Sequence, residues 1–298
     1  MIDSNRISPE SLSQIERITA HLRGDSGLPP NASVIIPVNA QSDLATVLPL
    51  LRDLEHYAGP YRIEVILVIN NYPAQSPPKA IDQYSRAGIR VVAEPDAHRP
   101  GEVVIVSARA LGVAAAHSNI TIHFDADCRV PHPADLLNWY IATLQKKGGL
   151  AYSHVTFYDL RPLASVHAKI LVHHVVRFIK RTLLGIPTTR GSNYAVSKEL
   201  FESCYRMGRL CVDMQIGPAA RMLHANVSYS GRRRHYVLTS GRRFKGGWGK
   251  ILKYNRYRLG YNLRTLKGLN SGFGKKSLAD FDQENENRQT FDNPGPEV

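Results

Sequence analysis

Residues 107–130 read SARALGVAAAHSNITIHFDADCRV, a helical pattern followed by a short strand and two aspartates. The strand, ITIHFDA at residues 120–126, is rich in β-branched and aromatic residues and follows a helix predicted near residues 102–117. Continuous strands of this kind are covered by helices on both faces, as in parallel sheets. Asp125 and Asp127 are therefore expected where a buried strand ends, which is the edge at which open α/β sheets bind ligands.

The same alternation of strand and helix continues on both sides of this stretch. Upstream, we predict strands at residues 33–38, 63–70 and 88–94 and helices at 8–24, near 43–56 and near 78–86. Downstream, we predict strands at 150–157 and 192–196 and helices at 133–147, 163–184, 197–207, 213–224 and 248–266. This order predicts an α/β fold of Rossmann type, with a mainly parallel sheet flanked by helices and a helical, basic C-terminal region.

Composition divides the chain into four regions. Residues 1–31 form an N-terminal helix and linker, and residues 32–230 form the main α/β domain. Residues 231–276 are a basic region that we expect to complete the ligand-binding site of this domain, and residues 277–298 are a polar, acidic tail. Low hydrophobicity and a Pro-containing end predict that the tail is disordered.

The net charge of +13 is concentrated in two segments of the chain. Residues 160–198 contain seven basic residues and residues 232–276 contain fourteen, and neither segment contains an acidic one. Three cysteines do not form a disulfide framework or a paired zinc motif, and the first 25 residues lack the apolar core of a signal peptide. We therefore expect a cytoplasmic protein without a spanning helix.

The two aspartates suggest a metal site. Two carboxylates one residue apart supply the oxygen ligands that a hard divalent cation prefers, and such a cation also binds phosphate. The simpler alternative is a solvated turn before Val130 and Pro131, which would bind nothing.

Six motifs in one order resemble the family 2 glycosyltransferases, which have the GT-A nucleotide-sugar-binding fold. The motifs are SVIIPV at 33–38, ILVINN at 66–71, the 107–130 stretch, RGSNYAVSKELFE at 190–202, VDMQIGPAARML at 212–223 and VLTSGRR at 237–243. The resemblance implies an inverting transfer of a hexosyl group from a nucleoside-diphosphate sugar, with Mn²⁺ or Mg²⁺ as cofactor. It covers roughly residues 32–245.

The resemblance also implies roles for individual residues. The metal ligands are Asp127 and Asp125, and Asp213 is the general base that deprotonates the acceptor hydroxyl. The residues implied to contact the donor are Pro37, Asn70, Asn71, Arg109, Asp125, Arg242 and Arg243. Asp125 would contact the ribose or a metal-bound water, and the two C-terminal arginines would neutralise the diphosphate.

Three positions depart from the family pattern and keep an alternative open. Asn70 and Asn71 replace acidic residues that help to hold the base, and Val212 replaces one carboxylate of an acidic pair. The alternative is therefore a non-catalytic, glycosyltransferase-like protein that binds an anionic membrane or nucleic acid through its basic segments, although a nucleic-acid partner is not favoured. A Rossmann dehydrogenase and a P-loop protein are excluded because their glycine motifs are missing.

The helix at 163–184 combines apolar and basic positions. Its apolar positions are Val166, Ile170, Val175, Ile179 and Leu183, and its basic positions are Lys169, His173, Arg177, Lys180 and Arg181. Such a cationic helix predicts a peripheral site on the anionic inner membrane face, with an acceptor that is either lipid-linked or a glycan. The alternative is that this helix covers the sheet or mediates dimerisation, and the sequence leaves the oligomeric state open.

Overall fold

The computed structural model describes most of the chain. The described residues are 7–24, 27–95, 104–160, 163–210, 215–241, 244 and 248–267. Asp213, Arg242, Arg243 and the predicted tail at 277–298 lie outside them.

A seven-stranded sheet forms the centre of the molecule. Its strands are β1 (Ala32–Asn39), β2 (Ile63–Asn70), β3 (Arg90–Ala93), β4 (Ile120–His123), β5 (Leu150–Ser153), β7 (Tyr194–Ser197) and β8 (Val227–Ser230). They lie in the order β3-β2-β1-β4-β7-β5-β8, in which β7 is antiparallel to both of its neighbours and every other pair is parallel. The predicted α/β fold with a mainly parallel sheet is confirmed.

Nine helices surround the strands among the described residues. They are α1 (Pro9–Arg23), α2 (Leu48–Glu55), α3 (Lys79–Arg86), α4 (Val104–Ala115), α5 (Pro133–Lys147), α6 (Ala164–Thr182), α7 (Lys198–Arg206), α8 (Ile216–Met222) and α9 (Trp248–Leu266). The first of them begins as the sequence predicts, because the Ser8 side chain accepts from the Ser11 amide and Pro9 occupies the first turn.

Two apolar cores lie on opposite faces of the sheet. Val34, Ile36 and Val38 of β1 pack toward α1, α2, α3 and α5, whereas Ile35 packs toward α4, α7 and α8. Helix α4 approaches β1 closely, since a Cβ added at Gly112 would lie 2.5 Å from the Ile35 side chain. Both faces of the central strands are therefore buried, which explains their continuous apolar sequence.

A second, two-stranded sheet lies beside the first. It pairs β6 (Val155–Phe157) with β9 (Val237–Thr239) in parallel register, so the single strand predicted at 150–157 is two strands in different sheets. Strand β4 is also shorter than predicted and ends at His123, which frees Asp125 and Asp127 from the ladder. Helix α2 begins at Leu48 rather than near residue 43, because turns occupy residues 40–47.

Helix α6 turns its basic side chains toward the interior and its apolar side chains outward. The basic positions Lys169, His173, Arg177 and Lys180 are buried together with Val166, whereas Leu171, Val175, Phe178 and Ile179 are exposed. These four basic side chains are therefore not available to an anionic surface, and the peripheral membrane location stays a prediction. Within the described ranges, no helix is both long enough and apolar enough to span a bilayer.

Candidate functional site

The carboxyl end of β4 brings together three groups with ligating atoms. One ligand atom each from Asp125, Asp127 and Cys128 lies within 4.8 Å of the others, and both aspartates are half-buried. Burial raises the pKa of the Cys128 thiol well above its usual value, and the nearby charges of the two aspartates raise it further. The thiol is therefore neutral, and the two carboxylates provide the hard oxygen donors that suit Mn²⁺ or Mg²⁺.

Arg109 fixes the first of these carboxylates. It projects from α4 with only 1% of its side chain exposed, and its Nη2 atom donates to Asp125 Oδ1 at 2.5 Å. A buried arginine in contact with a carboxylate is a positioning group rather than a solvated surface residue. Arg109 thus contacts one of the two carboxylates of the candidate metal site.

His123, the last residue of β4, contacts Arg109 and is neutral. Arg109 Nη1 lies 3.5 Å from His123 Nδ1, while His123 Nε2 lies 3.1 Å from Thr121 Oγ1. Burial first, and then the charge of Arg109, hold the pKa of His123 well below its usual value. Because a guanidinium only donates, Nδ1 accepts and Nε2 carries the proton toward Thr121, which in turn donates to the Val196 carbonyl.

We expect Arg109→Leu to destabilise the protein markedly. Breaking a buried ion pair costs about 3 to 5 kcal/mol, and the lower end, about 3 kcal/mol, fits here because Asp125 retains 29% side-chain exposure. Chemical denaturation measures the loss, with Arg86→Leu, an exposed change on α3, as the control. The double variant Arg109→Leu/Asp125→Asn should recover part of the loss. A free energy of unfolding for Arg109→Leu within about 1 kcal/mol of the parent would contradict this role.

The loop that follows the aspartates is tethered at two points. Arg129 forms a bidentate pair with Asp53 of α2, with both N···O distances at 2.7 Å, and the Val130 amide donates to the same carboxylate at 2.8 Å. Backbone hydrogen bonds between Arg129 and Leu238 then join the loop to β9. This loop, residues 125–130, which we call the aspartate loop, is therefore bonded both to α2 and to β9.

Asp159 anchors the segment that contains the predicted C-terminal arginines. Its carboxylate accepts from the Ser240 hydroxyl at 2.7 Å and from the Gly241 amide at 2.5 Å. The neighbouring Tyr158 hydroxyl donates to the Asp127 carbonyl at 3.2 Å. Arg242 and Arg243 lie outside the described residues, but the preceding Gly241 is bonded to Asp159, and the neighbour of Asp159, Tyr158, contacts Asp127.

The carboxyl ends of β1 and β2 lie at the same edge of the sheet as the two aspartates. Asn39 and Asn70 face each other in the register, and Asn70 is buried. Asn71 adopts a left-handed conformation with φ of 62°, and its Nδ2 donates to Asn39 Oδ1 at 3.1 Å. Pro37 is buried within β1 beyond the last residue that pairs with β4, so its missing N–H breaks no ladder bond with that strand.

The RGSNYAVSKELFE motif contacts the loop that contains the aspartates. Asn193 Oδ1 accepts from the Arg190 amide at 2.7 Å, and the Asn193 carbonyl accepts from the buried Tyr140 hydroxyl at 2.7 Å. The side chain of Ser192 hydrogen-bonds with Cys128. The start of the RGSNY motif is therefore rigidly joined to the aspartate loop.

The buried face of α6 adds positive charge next to this motif. Lys169 donates to the Phe244 carbonyl at 3.3 Å, Arg177 donates to the Thr188 carbonyl at 2.8 Å, and Arg190 Nη2 lies 2.6 Å from His173 Nε2. Burial first, and then the Arg177 charge, lower the pKa of His174 to about 4. The histidine is consequently neutral near pH 7, and the arginines and the lysine carry the charge.

His235 and His224 are not part of the candidate metal group. His235 Nδ1 lies 2.7 Å from Ser230 Oγ, and its ring stacks on Trp139 with the centroids 5.2 Å apart. His224 lies just after α8 in a left-handed conformation. Neither belongs to the group formed by the two aspartates and Cys128.

Comparison with known proteins places this arrangement in a known fold. No family model matches the chain, and no curated protein matches it in sequence. A solved mannosyltransferase from Pyrobaculum calidifontis, PcManGT in complex with GDP-Man and Mn²⁺, is similar in structure with a TM-score of 0.52. The alignment covers 93% of this chain and 88% of that one, at 12% identity. The fold is that of a GT-A glycosyltransferase.

Two further solved structures align with the GT-A domain less closely. TarS residues 1–349 from S. aureus, in complex with UDP-GlcNAc, gives a TM-score of 0.48 at 12% identity, covering 80% of this chain and 71% of that one. Glucosyl-3-phosphoglycerate synthase from M. tuberculosis gives 0.46 at 16% identity, covering 86% and 85%.

The GT-A domain brings together several of the residues proposed from sequence. Asp125, Asp127 and Arg109 form one contiguous group, whereas Asn70 and Asn71 lie at the end of β2, which β1 separates from β4. Asp213 lies outside the described residues, although Gln215, two positions later, is buried and donates to Thr265 Oγ1 of α9 at 2.9 Å. Asp53 on α2, Asn39 at the end of β1 and Asp159 after β6 could not be predicted as site residues, because a single polar residue carries no periodic signal.

Proposed function

We propose that this protein is a metal-dependent glycosyltransferase that moves a hexosyl group from a nucleoside-diphosphate sugar to an acceptor hydroxyl, with inversion. The observation that carries the proposal is the Asp125–Asp127 pair at the carboxyl edge of β4, fixed by buried Arg109 within a GT-A fold. PcManGT, whose fold this chain shares, was solved with GDP-Man and Mn²⁺. Family 2 remains the family that the sequence motifs favour.

The proposed metal site uses the chain's own carboxylates. Asp127 and Asp125 would hold Mn²⁺ or Mg²⁺, which supplies positive charge to the donor diphosphate when it is bound. The Arg109 contact holds the Asp125 carboxylate in one orientation, and the Arg129–Asp53 pair fixes the following backbone. These residues keep the site ordered before the donor arrives, which avoids the cost of reorganisation during the reaction.

The donor base is proposed to lie over the ends of β1 and β2. Asn70 and Asn71 would contact it there, beyond Pro37 in the neighbouring strand. Carboxamides both donate and accept hydrogen bonds, whereas the acidic residues usual in the family only accept. The asparagines therefore suit a base edge that presents donors and acceptors side by side.

Arg242 and Arg243 are proposed to bind the diphosphate as it leaves. A guanidinium meets phosphate oxygens in a bidentate manner, and negative charge grows on the diphosphate as the glycosidic bond breaks. The Asp159 carboxylate supports this role by holding Ser240 and Gly241 close to the aspartate loop.

We expect Asp159→Asn to weaken binding of the nucleoside diphosphate by about 10-fold to 100-fold, since it replaces an acceptor of two hydrogen bonds by a group that also donates. Calorimetric titration measures the change, with Asp82→Asn, an exposed change on α3, as the control. Arg243→Ala should weaken binding similarly, and Arg243→Lys should restore only part of it. If the losses from Asp159→Asn and Arg243→Ala multiply in the double variant, the two residues act independently and the anchoring role is wrong.

Asp213 is proposed as the general base for the acceptor hydroxyl. Direct displacement at the anomeric carbon requires a proton acceptor on the side opposite the leaving diphosphate, and this produces inversion. The support is the VDMQIG motif at residues 212–217, which leads into α8. Gly217 of α8 donates to Thr189 Oγ1 at 3.1 Å, so this helix and the loop before RGSNY are joined.

A thermal-shift panel of nucleotide sugars, each with and without Mn²⁺, tests the proposed function. A ligand at 100 times its Kd stabilises the native state by about 2.7 kcal/mol, which raises the midpoint of a chain of this size by several degrees. We expect at least one UDP-sugar or GDP-sugar to stabilise the protein only when metal is present. Stabilisation without any release of diphosphate would support the non-catalytic alternative, and no response to any donor would contradict the proposed function.

A further inference from the structure

One helix face of this protein has unusually large apolar exposure. Of the exposed large hydrophobic residues in the described part of the chain, four lie on α6 and a fifth is its C-cap residue, and we call these five the outward face of α6. They are Leu171, Val175, Phe178, Ile179 and Leu183, with relative exposures of 64%, 47%, 56%, 39% and 76%. A contiguous apolar patch of this kind marks an interaction surface, whereas single exposed hydrophobics do not.

The opposite face of α6 explains why the patch points outward. Lys169 and Arg177 are buried and donate to the carbonyls of Phe244 and Thr188, the latter just before the RGSNYAVSKELFE motif. Surface helices usually bury their apolar stripe and expose their polar one, and α6 does the reverse. The helix therefore contributes its cations to the interior and leaves its apolar side chains in solvent.

Charge identifies the occupant of this surface. The chain has no acidic residue between positions 160 and 198 or between 232 and 276. Helix α9, which packs against α6, exposes Arg256, and Lys267 directly after it is also exposed. Helix α9 also exposes Trp248 and Leu252. A second copy of the chain would bring like charges together, whereas an anionic lipid surface provides both an apolar layer and negative charge.

We propose that the outward face of α6 inserts shallowly into the interfacial region of an anionic lipid bilayer. The apolar side chains supply the buried area, and the surrounding basic residues supply attraction to the lipid headgroups. The apolar side chains of the helix contact the membrane, whereas Lys169, Arg177 and Lys180, which were expected to add attraction to it, are buried. It does not rest on sugar transfer and is tested without a donor.

Vesicle co-sedimentation of the full chain tests the proposal, with vesicles of equal parts phosphatidylglycerol and phosphatidylcholine compared with pure phosphatidylcholine. We expect binding to the anionic vesicles, with Leu171→Gln/Phe178→Gln at least about 10-fold weaker. Leu28→Gln/Met207→Gln, which changes apolar residues of comparable exposure elsewhere, should bind like the parent. Part of the binding should persist at about 0.5 M salt, because burial of apolar surface is not screened.

Three results would overturn the proposal. The first is that the parent does not bind anionic vesicles at low salt, and the second is that the parent and Leu171→Gln/Phe178→Gln bind equally. The third is that light scattering shows the parent as a dimer and this variant as a monomer. The last result would assign the face to a second copy. Thermal midpoints check that the variants fold, and if the double variant does not, Val175→Glu replaces it. That single exposed change adds a negative charge to the face and should also weaken binding.

Discussion

Asp127→Asn is expected to abolish metal-dependent binding of nucleoside diphosphates while leaving the fold intact. The substitution keeps the size of the side chain and removes the charge that a hard cation requires. The side chain is only half-buried, so little packing is lost. Titration of UDP and GDP in the presence of Mn²⁺ measures the loss, which should exceed about 100-fold because a charged ligand of the metal is removed.

The matched control for this variant is Asp135→Asn on α5. That carboxylate is 40% exposed and approaches only Arg234, at 3.8 Å, among the contacts described. It should bind diphosphate and metal like the parent. If Asp127→Asn keeps the metal dependence of the parent, the metal is held elsewhere and the assignment of the aspartate pair fails.

Asp213→Asn is expected to slow sugar transfer by about 10²-fold to 10⁴-fold, the usual contribution of a general base. Donor binding should be unchanged, since a general base acts on the acceptor hydroxyl rather than on the diphosphate. The measurement is a comparison of kcat with donor affinity, which separates the chemical step from binding. Glu202→Gln on α7 serves as a control for loss of one negative charge.

The pattern of effects distinguishes a base from a structural acid. Loss of both donor affinity and thermal stability in Asp213→Asn would indicate a structural role. Near-normal transfer to a saturating acceptor would assign proton removal to another group.

The central sheet could be predicted closely because its pattern is local. Strand β2 and helix α5 have the predicted bounds, since a continuous apolar run and a Pro-started helix with a Gly end are strong signals. The position of Asp125 and Asp127 at the edge of the sheet follows from chain order alone. The antiparallel insertion of β7 between β4 and β5 does not, because strand order depends on contacts between distant residues.

The orientation of α6 could not be predicted from its pattern. Periodicity shows that apolar and basic positions separate, but it does not show which side faces the protein. Backbone carbonyls of the 188 loop and residue 244 accept hydrogen bonds from the basic side chains, and both come from other parts of the chain. The burial of Arg109 has the same origin, because its partner Asp125 is 16 residues away.

Hydrolysis of the donor followed by NMR tests sugar transfer by this protein most directly, because it needs no knowledge of the acceptor. The full chain is incubated with the nucleotide sugar that stabilises it, and the anomeric signal of the first released sugar is recorded. The expected result is Mn²⁺-dependent release in which an α-linked donor gives the β anomer first, with no release by Asp127→Asn. No release from any donor that binds, or first release of the α anomer, would contradict an inverting glycosyltransferase.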